Sequence, residues 1–362
     1  MAMARLGIVG FANSGKTTLF NALTGLNAAT AAHPYNTTEP NLGVARIPDP
    51  KLEAAGKVEN SAKVVPATLE LLDLPALSPP GSEGGGLGGQ FLGRLREMDA
   101  LVVVLRAFSD PSVPSEDTAA DPTTQAEELL LELALADHEV LVRRAERLKK
   151  EARADTSKRA TADAIDQAVE VLAGGESLRS RQWSDEALAA FRDTSPLTLK
   201  PALWVVNLDE GAEDAADLVS RLEGLVPDGD PVVAVSARLE EEGAKLSAED
   251  RSELFEGLGL GEGALAVMVR AAYRGLGLLS FYTVGPKETR AWTVRAGAAA
   301  PEAAGKIHSD LERGFIRAEV STIDEVIEAG GWDEAKRRGL IHVEGKSYII
   351  KPGDVLVIRF SV

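Results

Sequence analysis

The sequence predicts an α/β protein, a doubly wound sheet interrupted by an inserted α-helical hairpin and followed by a small α+β domain. Three observations carry that expectation. Short, continuously apolar runs alternate with helical patterns from Arg5 onward. Residues 122–199 switch to Ala, Leu, Glu, Arg and Lys and are almost free of aromatics. From Leu278 the chain turns to β-rich runs.

Taken in order, Arg5–Val9 is the first strand candidate and Thr17–Leu23 the helix that follows. Ala67–Leu72 is a second strand running into Asp73, and A-L-V-V-V-L over Ala100–Leu105 is a third. Ala202–Val206 and Pro231–Val235 complete the set. Apolar runs without alternation suit strands buried on both faces of a parallel sheet. In the insert, Leu133, Val140, Leu141 and Leu148 fall at helical spacing, as do Ile165, Val169 and Leu172. A turn is expected at Asp155–Ser157, and Gly174-Gly175 ends the second helix. The last strands are F-Y-T-V, A-W-T-V, F-I-R-A-E-V, S-Y-I-I and D-V-L-V-I-R-F, with a helix at Asp324–Gly330 between two of them. The expected boundaries are 1–121 with 200–277 for the α/β domain, 122–199 for the hairpin and 278–362 for the last domain.

The 362 residues suffice for two or three domains with a sizeable core. No apolar run approaches a membrane span, and M-A-M-A-R-L-G-I-V-G lacks the plan of a signal peptide. A cytoplasmic protein with no membrane partner is expected. The absence of cysteine excludes disulfides, thiolate metal sites and a cysteine nucleophile. A net charge of −17 repels nucleic acid on average, so DNA is not an expected partner and contact with RNA would need a local basic patch.

Gly10-Phe-Ala-Asn-Ser-Gly-Lys-Thr17 fits G-x-x-x-x-G-K-[ST] between a strand and a helix, the context a phosphate-binding P-loop requires. Glycines let backbone N–H groups curl around phosphate oxygens, and the helix N-terminus adds positive potential. Asn13, Ser14, Gly15, Lys16, Thr17 and Thr18 are the candidate phosphate contacts. Lys16 would bridge the β- and γ-phosphates, and the Thr17 hydroxyl would bind Mg²⁺. Asp73, at the end of L-E-L-L-D, is placed to hold the same Mg²⁺ through water. Thr37, in H-P-Y-N-T-T-E-P-N, is the candidate switch threonine that completes the shell when a γ-phosphate is present; Thr38 beside it satisfies position equally. Asn207-Leu208-Asp209-Glu210 follows an apolar strand where guanine-specific proteins carry N-K-x-D. Asn207, Leu208, Glu210, Ser236 and Ala237 are the candidate base contacts.

These residues together resemble the YchF family, a branch of the Obg-like translation-factor NTPases. The resemblance runs through N-S-G-K-T-T-L-F-N-A-L-T, T-E-P-N-L-G-V-A-R-I-P-D, E-L-A-L-A-D, N-L-D-E, R-A-W-T-V and G-K-I-H-S-D-L-E-R-G-F-I-R-A-E-V. It implies that the last domain is a TGS domain of β-grasp fold, that ATP is preferred to GTP, and that the ribosome is a partner. With no evident general base, hydrolysis would rest on positioning and charge neutralisation, and slow intrinsic turnover is expected. The family's D-x-x-G glycine is Ala76 here, and its hydrophobic residue in place of a catalytic Gln is Leu77. The family's histidine on the next strand is Val103, and Ala12 and His33 replace a usual Pro and Tyr. Asn13 is the residue that, in related GTPases, holds K⁺, a second candidate cofactor. The alternatives are a GTPase of the same fold and a nucleotide-holding adaptor with little hydrolysis.

The hairpin is locally basic, with Arg143, Arg144, Arg147, Lys149 and Lys150 as the candidate surface for ribosomal RNA. Over Glu139–Ala160, which also carries Arg153, Lys158 and Arg159, four acids are interspersed (Glu139, Glu146, Glu151 and Asp155), so a solvated face of intrahelical ion pairs is the competing reading. His308 is expected to be a hydrogen-bonded structural residue rather than a metal ligand.

Overall fold

Every residue of Leu6–Val9 is buried, so β1 (Arg5–Val9) has covered surface on both faces, as a central parallel strand must. The computed structural model describes residues 4–26, 28, 40–77, 89–109, 121–258 and 263–361. The other strands are β2 (Asn41–Arg46), β3 (Val64–Val65), β4 (Thr68–Asp73), β5 (Ala100–Ala107), β6 (Ala202–Leu208), β7 (Val232–Val235), β8 (Leu278–Thr283), β9 (Thr289–Arg295), β10 (Phe315–Thr322), β11 (His342–Glu344) and β12 (Asp354–Phe360). Helices used below are α1 (Lys16–Thr24), α2 (Pro50–Val58), α3 (Gly89–Glu97), α4 (Pro122–Ala154), α5 (Arg159–Ala173), α6 (Asp185–Phe191), α7 (Ala215–Glu223) and α8 (Ala237–Gly243).

The first sheet has the order β2-β4-β1-β5-β6-β7. β1 pairs in parallel with β4 and β5, and β6 in parallel with β5 and β7. The order reverses at β1, the topological switch point at which open α/β sheets bind ligands. One core lies under β5 and β6, built from Val103, Leu105, Trp204 and Val206 with Leu129 and Leu133 of α4.

The expected hairpin is α4, of 33 residues, and α5, of 15. α4 stops where Asp155 turns extended and its carboxylate accepts from Ser157 N at 3.0 Å. α5 ends at Gly174, and Gly175 supplies the left-handed φ of 76° that the exit requires. Leu141, Leu148, Ile165, Ala168 and Leu172 share a core with Phe191 of α6. The Asp in E-L-A-L-A-D has a structural reason: Asp137 is fully buried, accepts from Arg96 Nη1 at 2.9 Å, and takes both Thr198 N and Thr198 Oγ1. A buried carboxylate so satisfied ties α4 to α3.

The chain divides into two compact units, 4–44 with 70–268, and 45–69 with 269–362. The sequence boundaries had placed all of 45–69 in the α/β domain. Instead, that segment groups with the C-terminal unit, and its β3 is the edge strand of the second sheet, whose order is β11-β10-β12-β8-β9-β3. β3 runs parallel to β9, with Val64 opposite Thr289. Asp49 caps α2 by accepting from Leu52 N and also accepts from the Tyr282 hydroxyl at 2.7 Å. Ser61 Oγ donates to Gly285 O at 2.8 Å. The core of this unit is Phe281, Val294, Ala300, Ala303, Phe315 and Leu356.

S-Y-I-I is not a strand; only Ile349 makes an isolated bridge, to Ala299. The third strand of that face is His342–Glu344, antiparallel to β10. The reason is turn chemistry. Asp354 Oδ2 accepts from Lys351 N and from the Tyr348 hydroxyl, each at 2.9 Å, which folds the segment around Pro352-Gly353.

Candidate nucleotide site

β1 ends at Val9, and the chain then adopts positive φ at Gly10 (155°), Asn13 (58°) and Gly15 (92°). A Cβ on Gly10 would lie 2.4 Å from Val104 O, and one on Gly15 would lie 2.1 Å from Asn207 Nδ2. Both conformation and space therefore demand glycine at these two positions. Replacing Gly15 by Ala is expected to cost about 2 to 3 kcal/mol through left-handed strain and loss of the Asn207 contact, as read by urea denaturation. An unchanged denaturation midpoint would contradict this account of the loop.

Gly15 is the N-cap of α1 and supplies no side-chain cap. The first-turn N–H groups are thus presented to whatever the loop encloses, in the manner of a phosphate cradle. Ser14 is fully buried, and its Oγ has no hydrogen-bond partner within the described protein. Lys16 is 7% exposed, and its ammonium donates to Gly10 O at 2.9 Å and Phe11 O at 2.7 Å. Burial lowers its pKa to about 8, against the opposing pull of Asp73.

Thr17 Oγ1 donates to Asp73 Oδ2 at 2.8 Å, and Asn41 Nδ2 reaches the same oxygen at 3.3 Å. Asp73 Oδ1 is buried without a partner. Burial raises the Asp73 pKa, opposed by Thr17, Lys16 and Asn41. One hydroxyl and one carboxylate with an orphaned buried oxygen form the hard-oxygen donor set that Mg²⁺ takes. No group of three or more His, Cys, Asp or Glu residues able to hold a metal occurs among the described residues. The donor set therefore fits an ion that also leans on substrate oxygens and water. Leu77 N donates to Gly10 O at 3.1 Å, which seats the chain after Asp73 against the loop. Val103 is fully buried in the sheet and Leu77 is buried beside the loop; neither side chain can transfer a proton.

On the base side, Asn207 is buried. Its Nδ2 donates to Ser14 O and its Oδ1 accepts from Ala237 N, each at 3.0 Å. This side chain fastens the P-loop to the start of α8, and one N–H and one lone pair remain for a ligand. Ser236 is the N-cap of α8. Leu208 is buried and Glu210 exposed. Asp209 Oδ2 accepts from Ser109 N at 3.0 Å. The structure brings Asn13 to Thr18, Asp73, Asn207, Ser236 and Ala237 to the end of the sheet where β1 and β6 terminate. Thr37, Thr38 and His33 lie outside the described residues.

Two neighbours of the site were not singled out from sequence. Asn41 holds Asp73, and Phe108 is placed so that Cε1 would lie 3.8 Å from a Cβ on Gly15. Asn41 ends T-E-P-N, and Phe108 ends R-A-F after a buried strand, but spacing alone gave neither a partner.

The hairpin cations are largely paired. Arg143 meets Glu139, Arg147 meets Glu151, Arg144 meets Asp193 and Lys149 meets Asp166. Among the described residues, Lys150 alone of the five candidates has no ion pair. His308 Nδ1 accepts from Asp310 N at 3.1 Å and caps a short helix, as a structural histidine does. No helix of the described residues is long and apolar enough to cross a membrane.

Two family models match the chain. One, described as "50S ribosome-binding GTPase", covers residues 5–143, and the YchF-GTPase_C model, described as "Protein of unknown function (DUF933)", covers residues 278–361. A Haemophilus ducreyi protein named "Ribosome-binding ATPase YchF" is 39% identical over 99% of each chain. A Bacillus subtilis protein of the same name is 37% identical over 98% of this chain and 99% of its own. "Obg-like ATPase 1" of Rattus norvegicus is 32% identical over 99% of this chain and 92% of its own. The solved structure of the Schizosaccharomyces pombe YchF GTPase superposes with a TM-score of 0.86 at 27% identity, covering 98% of this chain and 97% of that one. Likeness of that extent, from the Gly10–Thr17 loop to the last strand, means that this chain belongs to the YchF family of P-loop NTPases.

Proposed function

We propose that the chain is a Mg²⁺-dependent nucleotide switch that binds ATP in preference to GTP, hydrolyses it slowly and works on the ribosome. The observation that carries the reading is the Lys16–Thr17–Asp73 constellation at the open head of α1. Lys16 and the loop amides would neutralise the triphosphate and orient it, which is most of what phosphoryl transfer asks of a protein. Thr17, directly, and Asp73, through water, would hold Mg²⁺, with Thr37 as the proposed third oxygen. Mg²⁺ held by these residues would supply charge neutralisation for the triphosphate. Asn13, held at a φ of 58° in the loop, would be the residue to contact K⁺ if that ion is used.

The base preference follows from hydrogen-bond polarity. Guanine presents a donor at N1 and adenine an acceptor, so a carboxylate aimed at N1 rewards guanine and repels adenine. Asp209 is committed to Ser109 N, which supports a base pocket without that carboxylate. Glu210 is exposed, and Asn207 keeps one donor and one acceptor for the adenine edge.

The name "Ribosome-binding ATPase" belongs to the relatives, and the reading takes the same activity and partner for this chain. With hydrocarbon at Leu77 and Val103, unaided hydrolysis should fall well below the roughly 10 s⁻¹ of a median enzyme. Single-turnover rates with and without ribosomes test this: slow alone and faster with ribosomes is expected. A rate near 10 s⁻¹ alone, or no hydrolysis in either condition, contradicts it. The second outcome would favour the adaptor reading that Ala76 and Val103 suggest.

The hairpin is the proposed RNA-facing surface. Its exposed ion pairs contribute little and exchange readily for phosphate. Reversing Arg143, Arg144 and Arg147 to Glu is expected to weaken ribosome binding and to make the slope of log affinity against log salt shallower by about 2. Unchanged affinity and slope would remove the hairpin from the interface.

A further inference from the structure

When β1 leaves the sheet to become the P-loop, it strands part of its neighbour. β1 ends at Val9, opposite Val103 of β5, yet β5 continues to Ala107. Successive residues of a parallel strand turn their N–H and C=O to opposite neighbours. Leu101 N donates to Pro201 O, on the β6 side, so residues alternate from there and Arg106 faces the side that β1 has vacated. Val104 faces the same way, and its carbonyl is the group that a Cβ on Gly10 would strike. A buried backbone donor and acceptor at Arg106 therefore need a partner that is not a strand.

Gln125, in the first turns of α4, is that partner. Its side chain is 4% exposed; Oε1 accepts from Arg106 N at 3.0 Å and Nε2 donates to Arg106 O at 2.8 Å. A primary amide offers the same donor and acceptor as a peptide group, so this side chain stands in for a missing rung of the ladder. Glutamate lacks the donor, and methionine of similar length lacks both groups.

The rung sits beside the nucleotide site. Arg106 is the register partner of Asn207, which holds Ser14 O. The Arg106 guanidinium donates through Nε to Phe108 O at 3.2 Å and lies 4.6 Å over the Phe108 ring, which faces Gly15. We propose that Gln125 is a positioning residue for the nucleotide site: its amide fixes the end of β5 so that Phe108 and Asn207 frame the P-loop, and it links that frame to the first helix of the hairpin. The proposal rests on the nucleotide reading above.

The test compares the full-length wild type with Gln125→Glu, Gln125→Met and, as a control, Leu129→Ala, a buried core change further along the same helix. Affinity for a non-hydrolysable ATP analogue is measured by calorimetry, the single-turnover rate at saturating ATP by quench, and the thermal midpoint alongside. Both Gln125 variants are expected to bind the analogue about tenfold more weakly, with the saturated rate changed by less than about twofold, because the rung serves ground state and transition state alike. Leu129→Ala is expected to lower the thermal midpoint and leave analogue affinity unchanged. Wild-type affinity in both Gln125 variants would overturn the proposal alone. Equal weakening in Leu129→Ala would also overturn it, by making general docking of α4 the cause. A wild type that binds no nucleotide would overturn the reading beneath it and the proposal together.

Discussion

Lys16→Ala is expected to lower ATP hydrolysis by about 10³-fold, the scale on which removing one preorganised charge donor acts in a water-poor site. The Lys16 ammonium is buried against the loop carbonyls of Gly10 and Phe11. It is held within the fold at the point where phosphate charge would gather, so no reorganisation is needed when substrate arrives. Its pKa, lowered by burial to about 8, adds a pH signature. The cationic form is the one that binds a triphosphate. Nucleotide affinity should therefore fall as pH rises through about 8, and binding above that pH should take up protons. Analogue affinity measured across that pH range, and proton uptake measured by calorimetry in two buffers, check both statements. A Lys16→Ala protein that keeps a tenth of wild-type activity would contradict the role.

Asp73→Asn is expected to separate metal function from folding. Burial raises the Asp73 pKa, so the folded state holds its proton more tightly than the unfolded chain does. The stability this group contributes is present at low pH and is lost as pH rises through the raised pKa. At neutral pH the carboxylate is a burden on the ligand-free fold, and the neutral amide relieves it. The thermal midpoint of ligand-free Asp73→Asn should therefore be no lower than that of the wild type. Mg-ATP at 100 times its Kd would add about 2.7 kcal/mol to the wild type, and the variant at the same concentrations should gain little of it. A lower midpoint without ligand, with the Mg-ATP gain intact, would mean that Asp73 is only a structural bond to Thr17.

Local features of the sequence carried much of this architecture. The G-x-x-x-x-G-K-T run lies between a strand and a helix as its spacing demands, because positive φ and close backbone approach leave glycine no substitute at Gly10 and Gly15. The continuous apolar runs form the strands of a parallel sheet, and Leu133, Val140, Leu141 and Leu148, read as helically spaced, lie in the long helix of the insert. Features that depend on pairing partners distant in sequence were not legible. Nothing in V-V at Val64–Val65 says that it will join a strand more than two hundred residues away, so the affiliation of 45–69 was missed. S-Y-I-I has the composition of a strand, yet the turn built on Asp354 keeps it out of the ladder. The uses of Asn41 and Gln125 were hidden for the same reason, since each answers a backbone or carboxylate need created elsewhere in the fold. Asn207 was read as a base contact, and the geometry adds a fastening role that no spacing rule contains.

The central claim is a nucleotide site that favours adenine. Calorimetric titration of nucleotide-free protein with non-hydrolysable ATP and GTP analogues, both with Mg²⁺, tests it most directly. At least tenfold tighter binding of the ATP analogue, about 1.4 kcal/mol, is the expected result. Equal or tighter binding of the GTP analogue would mean that Glu210 still reads guanine, and the assignment would pass to a GTPase of the same fold.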